Sequence, residues 1–138
     1  MSASLDILFS RAYNIGMTSD AKISIDLLSP DPVTGKYVRR GNRHAVRFSS
    51  GDAIFRIETD GKSVKITKTA KVGYELVLSK SPGFTLRSAE GEFLMSDVRL
   101  HSLDFSETAE GFFLTAEYSL PPHDDNTVLR VTCEKYGA

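Results

Sequence analysis

Chemistry in this chain would have to come from a few side chains. His123-Asp124-Asp125 sets three nitrogen and oxygen donors in a row, the kind of group that can hold a cation. It follows Pro121-Pro122 and precedes Asn126, which reads as a solvated turn between the last two strands, and no metal or other cofactor is expected. The remaining histidines, His44 and His101, have no histidine at ligand spacing. Cys133 is the sole cysteine. It would be a nucleophile only beside a base in an electropositive setting. It shares the parity of Leu129 and Val131, which points to a buried, inert thiol, and as the sole cysteine it can form no intrachain disulfide. An enzyme would need His101 or His123 to converge with Asp97, Asp104 or Glu117 around a cavity. The P-loop signature, the dinucleotide-binding glycine motif, HExxH and GxSxG are all absent. The balance leans away from catalysis.

The most basic stretch runs from Tyr37 to Arg47 and carries Arg39, Arg40 and Arg43. With Tyr37 and Phe48 nearby, it has the cations and rings of a single-strand nucleic-acid binder. A pI of about 6.3 speaks against that class, and a hairpin loop with solvated arginines is the plainer reading. The same arginines could rim a barrel mouth and grip a ligand carboxylate or phosphate.

The elements that would position these residues alternate with period two. Ile23, Ile25 and Leu27 alternate with Ser24 and Asp26, as on a half-buried strand. Further rows are Ala53, Phe55, Ile57; Val64, Ile66; Tyr74, Leu76, Leu78; Phe84, Leu86; Phe112, Leu114, Ala116, Tyr118, Leu120; and Leu129, Val131, Cys133. Turn residues punctuate them at Ser50-Gly51-Asp52, Asp60-Gly61, Ser81-Pro82-Gly83, Glu90-Gly91 and Glu110-Gly111. Pro30-Asp31-Pro32 and Pro121-Pro122 mark longer connections. Val98 and Leu100 have one parity while Leu103 and Phe105 have the other, and a β-bulge near His101 would reconcile them. Leu5 to Met17 reads either as a helix capped by Ser4 or as an edge strand.

The 138 residues fit one domain with one core, residues 1–138. A composition 41% hydrophobic and 25% charged is that of an ordinary globular protein. Neither a secretory apolar run nor a stretch of membrane-helix length is present, so the cytoplasm is the expected compartment and no membrane partner is expected. The net charge of −1 hides a division. Lys36 to Arg87 carries 12 Lys/Arg against 4 Asp/Glu, whereas Ala89 to Asn126 carries 1 against 9. Either a basic face awaits an anionic partner, or the two halves neutralise each other across one sheet.

In the last third, Gly91-Glu92-Phe93-Leu94-Met95, the Glu110-Gly111 turn, the strand from Phe112 to Leu120, and Val128-Leu129-Arg130-Val131-Thr132 form a succession of alternating strands and tight turns. In these motifs the chain resembles the uncharacterised bacterial family typified by the YwiB protein. The resemblance weakens back to about Gly61, covering roughly half the chain. Where members tend to carry a Thr-Pro-aromatic step, this chain has Ser88-Ala89-Glu90, and nothing through Pro32 has a counterpart. The resemblance implies a small lipocalin-like (calycin-type) barrel in a bacterial cytoplasm, and no catalytic residues.

The expectation is therefore all-β: an antiparallel, up-and-down, lipocalin-like barrel of about eight to ten strands, with a short N-terminal helix as one option. Phe55, Ile57, Phe112, Leu114, Tyr118 and Leu129 would face its interior. Such an interior is either filled by its own side chains or holds one small ligand. The leading function is non-catalytic binding of a small apolar or amphipathic ligand, with Arg39, Arg40 and Arg43 as rim. The alternative is a filled barrel that acts through its surface, as a structural or interaction protein and in some form a homodimer.

Overall fold

A computed structural model describes residues 18–26, 31–95, 97–120 and 126–136. The strands are β1 (Ser19–Ile25), β2 (Val33–Arg40), β3 (Arg43–Ser50), β4 (Ala53–Thr59), β5 (Val64–Thr69), β6 (Gly73–Leu78), β7 (Gly83–Ser88), β8 (Gly91–Met95), β9 (Arg99–Glu107), β10 (Gly111–Ser119) and β11 (Thr127–Lys135). No helix occurs among the described residues. The helix option over Leu5 to Met17, Leu27, Pro30, Pro121-Pro122 and His123-Asp124-Asp125 all lie outside them.

All eleven strands form one antiparallel sheet in the order β8-β7-β6-β5-β4-β3-β2-β1-β11-β10-β9. The strand count corrects the expected eight to ten, and its cause is local. β8 and β9 both run antiparallel to β1, yet only residues 96–98 separate them. Three residues are too few for a crossover between parallel neighbours. The two are successive stretches of one path, bonded first to β7 and then to β10.

The sheet is strongly curled, in keeping with the β-barrel class. His44 on β3 lies five places from β9 in the strand order, a span of about 24 Å if the sheet were flat. Its ring nevertheless sits 5.3 Å from that of Phe105 on β9. The inner face holds the apolar parity of each strand: Ile23, Val46, Ile57, Leu78, Leu114, Leu129 and Val131 are essentially inaccessible. Burying an aliphatic side chain of this size contributes about 1.5–3 kcal/mol, so these rows dominate the stability of the fold.

The expected bulge is present. Glu117 pairs with Ser102 and Tyr118 with Leu100, which leaves His101 without a partner in the ladder. That extra residue returns Leu100 to the inner face alongside Leu103 and Phe105, where all three pack on the core. Gly51, Gly61 and Gly91 adopt positive φ at their turns. The charge division maps partly onto the sheet. Arg87 on β7 pairs with Glu92 on β8, and Arg39 on β2 meets Glu107 on β9 across the interior, while β3 to β6 keep a predominantly basic outer face.

Candidate functional site

The rows of β5, β6, β7, β10 and β11 do not meet completely. Between them lies a cavity of about 230 Å³, walled by Tyr74, Leu76, Phe84, Tyr118, Leu120 and Leu129, with Ile66 closing one side. Alternation alone puts Tyr118 there, since it is the fourth inward residue of β10 after Phe112, Leu114 and Ala116. Tyr74 stacks on Phe84 with ring centroids 5.7 Å apart and planes at 28°, which holds the wall in one orientation. Neither the Tyr74 nor the Tyr118 hydroxyl has a hydrogen-bond partner among the described residues. Burial raises the pKa of both phenols above the ordinary value, so they stay protonated and can each donate one hydrogen bond. Greasy walls with two phenolic O–H groups suit a small, largely apolar molecule with a polar end.

Of the six interior residues expected at a ligand site, Tyr118 and Leu129 line this cavity. Phe55, Ile57, Phe112 and Leu114 are packed core instead. Phe55 stacks on Phe48 at 5.2 Å and 13°. Ile57 and Leu114 are fully buried, and Phe112 is wedged against Tyr37, His44 and Phe105. The three arginines are not brought to the cavity. Arg39 is spent on Glu107, and Arg40 and Arg43 are exposed at the β2–β3 hairpin. That end lies beside Phe112, six residues and about 20 Å along β10 from Tyr118.

At the hairpin end the inner face carries a polar chain that sequence reading missed. The Tyr37 hydroxyl donates to His44 Nδ1 at 2.6 Å. His44 Nε2–H donates to Glu107 Oε1 at 2.9 Å, and Arg39 Nη2 donates to Glu107 Oε2 at 2.9 Å. These roles follow from the ionised carboxylate, which only accepts, so Nε2 must carry a proton; with that single proton on the ring, Nδ1 is left to accept. The bond from His44, helped by the Arg39 guanidinium, holds the Glu107 carboxyl below its ordinary pKa. Tyr37 is almost wholly buried, and desolvation pushes its phenol up to about 12. A substrate cannot reach it, so the chain acts as a clasp joining β2, β3 and β9. The available signal was His44 itself, a histidine on the apolar parity of Val46 and Phe48.

The fold, though not the site, has a counterpart among solved structures. The crystal structure of the YwiB protein from Bacillus subtilis matches it with a TM-score of 0.59 over 87% of this chain and 91% of that one, at 13% sequence identity. The chain has a YwiB-like fold. No family model and no curated protein matches the sequence. The structural likeness reaches well beyond the half of the chain over which the sequence resemblance was readable. At this identity it shows the fold alone.

Within this YwiB-like fold the remaining reactive candidates are quiet. His101 Nε2 meets Ser119 Oγ at 2.9 Å rather than a carboxylate. Among the described residues no group of three His, Cys, Asp or Glu is placed to hold a metal ion, and no helix is long and apolar enough to cross a membrane. Cys133 is fully buried, and desolvation pushes its thiol up to about 12. It is expected to resist an aromatic disulfide reagent in the native protein and to react in full once guanidinium unfolds the chain. Rapid labelling of the native protein would refute this.

Proposed function

We propose that this chain is a non-catalytic, lipocalin-like (calycin-type) barrel that works in the cytoplasm and holds a small apolar or amphipathic ligand. The observation supporting this reading is the cavity between Tyr74, Phe84, Tyr118 and Leu129, where the inner rows leave space. At about 230 Å³ it falls below the 300–1,000 Å³ of drug-sized sites, so the ligand is a single ring or a short acyl chain. The tyrosine hydroxyls would fix its polar end.

Native mass spectrometry of protein isolated from its own source tests the reading. The expected result is a small adduct that is lost on denaturation. Tyr118→Phe, which keeps the ring and removes one hydroxyl, should weaken rebinding of that adduct about tenfold. A bare protein that also leaves short fatty acids and simple phenols unbound would sink the proposal.

A second reading has its own support. At the β7–β8 edge Leu86, Phe93 and Leu94 are 37%, 58% and 74% exposed, and β8 ends the strand order. An uncovered apolar edge strand is a place for another chain to add. On this reading the filled barrel acts through its surface, as a structural or interaction protein. The same spectra would then give a dimer mass without an adduct.

A further inference from the structure

The outer face of β3 to β6 carries a second cavity, of about 330 Å³, unconnected with the function proposed above. Arg43, Glu58, Lys65, Glu75 and Val77 stand on the outward parity of their strands, and the turn from Asp60 to Ser63 closes one end. Most of its charges are already engaged. Lys65 Nζ lies 2.8 Å from Glu75 Oε1, and Arg87 takes the other oxygen of Glu75. Asp60 Oδ1 accepts from the Lys62 and Ser63 amides and from the Ser63 hydroxyl.

Two opposite charges are left over. Glu58 is only 6% exposed, yet its carboxyl makes no hydrogen bond or ion pair among the described residues, and it opens into this cavity. Arg43, on the same wall, is likewise unengaged among them. A carboxylate on so buried a residue, with no hydrogen bond or ion pair among the described residues and water reaching it only by way of this cavity, is costly. The cost shows in its pKa, which burial raises against the pull of Lys65 and Arg56 nearby. Any ligand that brings a cation to Glu58 relieves it. A simple cation would leave Arg43 unused, and a simple anion would meet Glu58 as a like charge.

We propose that this outer-face cavity binds a small zwitterion of the free α-amino-acid class, its ammonium against Glu58 and its carboxylate against Arg43. An ammonium offers three donors to the buried carboxylate, and the guanidinium fork accommodates a carboxylate through two parallel bonds. Val77 and the alkyl stem of Lys65, with the small side chains of Thr59 and Ser79, line the rest, which favours a small side chain.

Calorimetric titration of the full chain with L-alanine, L-serine and L-leucine is the test, with n-butylamine and butyrate as half-ligands. At least one zwitterion should bind, and both half-ligands should bind at least tenfold more weakly. Glu58→Gln, which is isosteric, and Arg43→Gln should each reduce affinity about 10- to 100-fold. Tyr118→Phe, at the interior cavity, should leave it unchanged, so this site and the interior one fail or succeed separately. Circular dichroism of each variant confirms folding. Absence of zwitterion binding, binding indifferent to Glu58→Gln, or butylamine binding as tightly with Arg43→Gln silent would each overturn the proposal.

Discussion

Replacing His44 with alanine is expected to destabilise the fold by about 3 kcal/mol, read from the midpoint and slope of chemical denaturation. Three effects act together. The imidazole is fully buried between the rings of Tyr37, Phe105 and Phe112, so its loss leaves a cavity that strand backbones cannot collapse into. The Tyr37 hydroxyl loses its acceptor while remaining buried, and a stranded polar group costs about 1–3 kcal/mol. Glu107 loses the donor that chiefly depresses its pKa. A carboxyl with a depressed folded pKa contributes stability that is present above its unfolded pKa and is lost as pH falls through the folded one. The wild type should therefore lose this contribution under acid, and His44→Ala should lack that part of the pH dependence. Tyr37→Phe removes one hydroxyl and should cost only about 1 kcal/mol. If His44→Ala costs no more than Tyr37→Phe, the clasp is not a structural element.

Gly111→Ala should be comparably severe, for a different reason. A β-carbon at Gly111 would collide with the Cys133 carbonyl oxygen and fall 2.8 Å from its carbon. Both obstacles are backbone, so no side chain can swing aside, and β10 and β11 must part where Gly111 pairs with Glu134. Overpacking against a rigid neighbour costs about 1–3 kcal/mol and sometimes more. Gly41→Ala is the comparison. Its β-carbon would meet nothing within 4 Å, but φ is +62°, so only the strain of a left-handed residue, about 1 kcal/mol, is expected. Equal melting temperatures for the two variants would refute the close-approach argument.

These two residues also show what could be read before the structure and what could not. Period-two alternation and the parity break around His101 are local signals, and they gave the sheet, its inner face and the bulge. Gly51 and Gly61 were legible for the same reason, because a turn's φ is decided within a few residues. Gly111 was legible only as half of a turn. Its φ is not positive, and what demands glycine there is the backbone of a strand 22 positions later. Tyr118 and Leu129 could be assigned to the interior, but leucine, phenylalanine and tyrosine fill a core as readily as they wall a cavity. Which residues do each depends on how the strands curl. Arg39 was visible as a basic residue, whereas its partner Glu107 lies 68 positions away on a strand that only curvature brings near. The charge halves were countable, and only some of their charges meet across the sheet.

The strand order bears on how the chain folds as well as on how it stands. Every adjacency but one joins sequence neighbours; the exception pairs Ala21 with Lys135, β1 with β11. The local hairpins can form within microseconds, while this closure must hold together a loop of more than a hundred residues. It therefore falls late, and until then two long strands stand open as sticky edges in the nascent chain. A chain rejoined near its ends and reopened at residues 96–98 would order the same eleven strands as an unbroken run of neighbours from β9 to β8. Its contact order would be lower, its assembly faster, and its vulnerable interval correspondingly shorter.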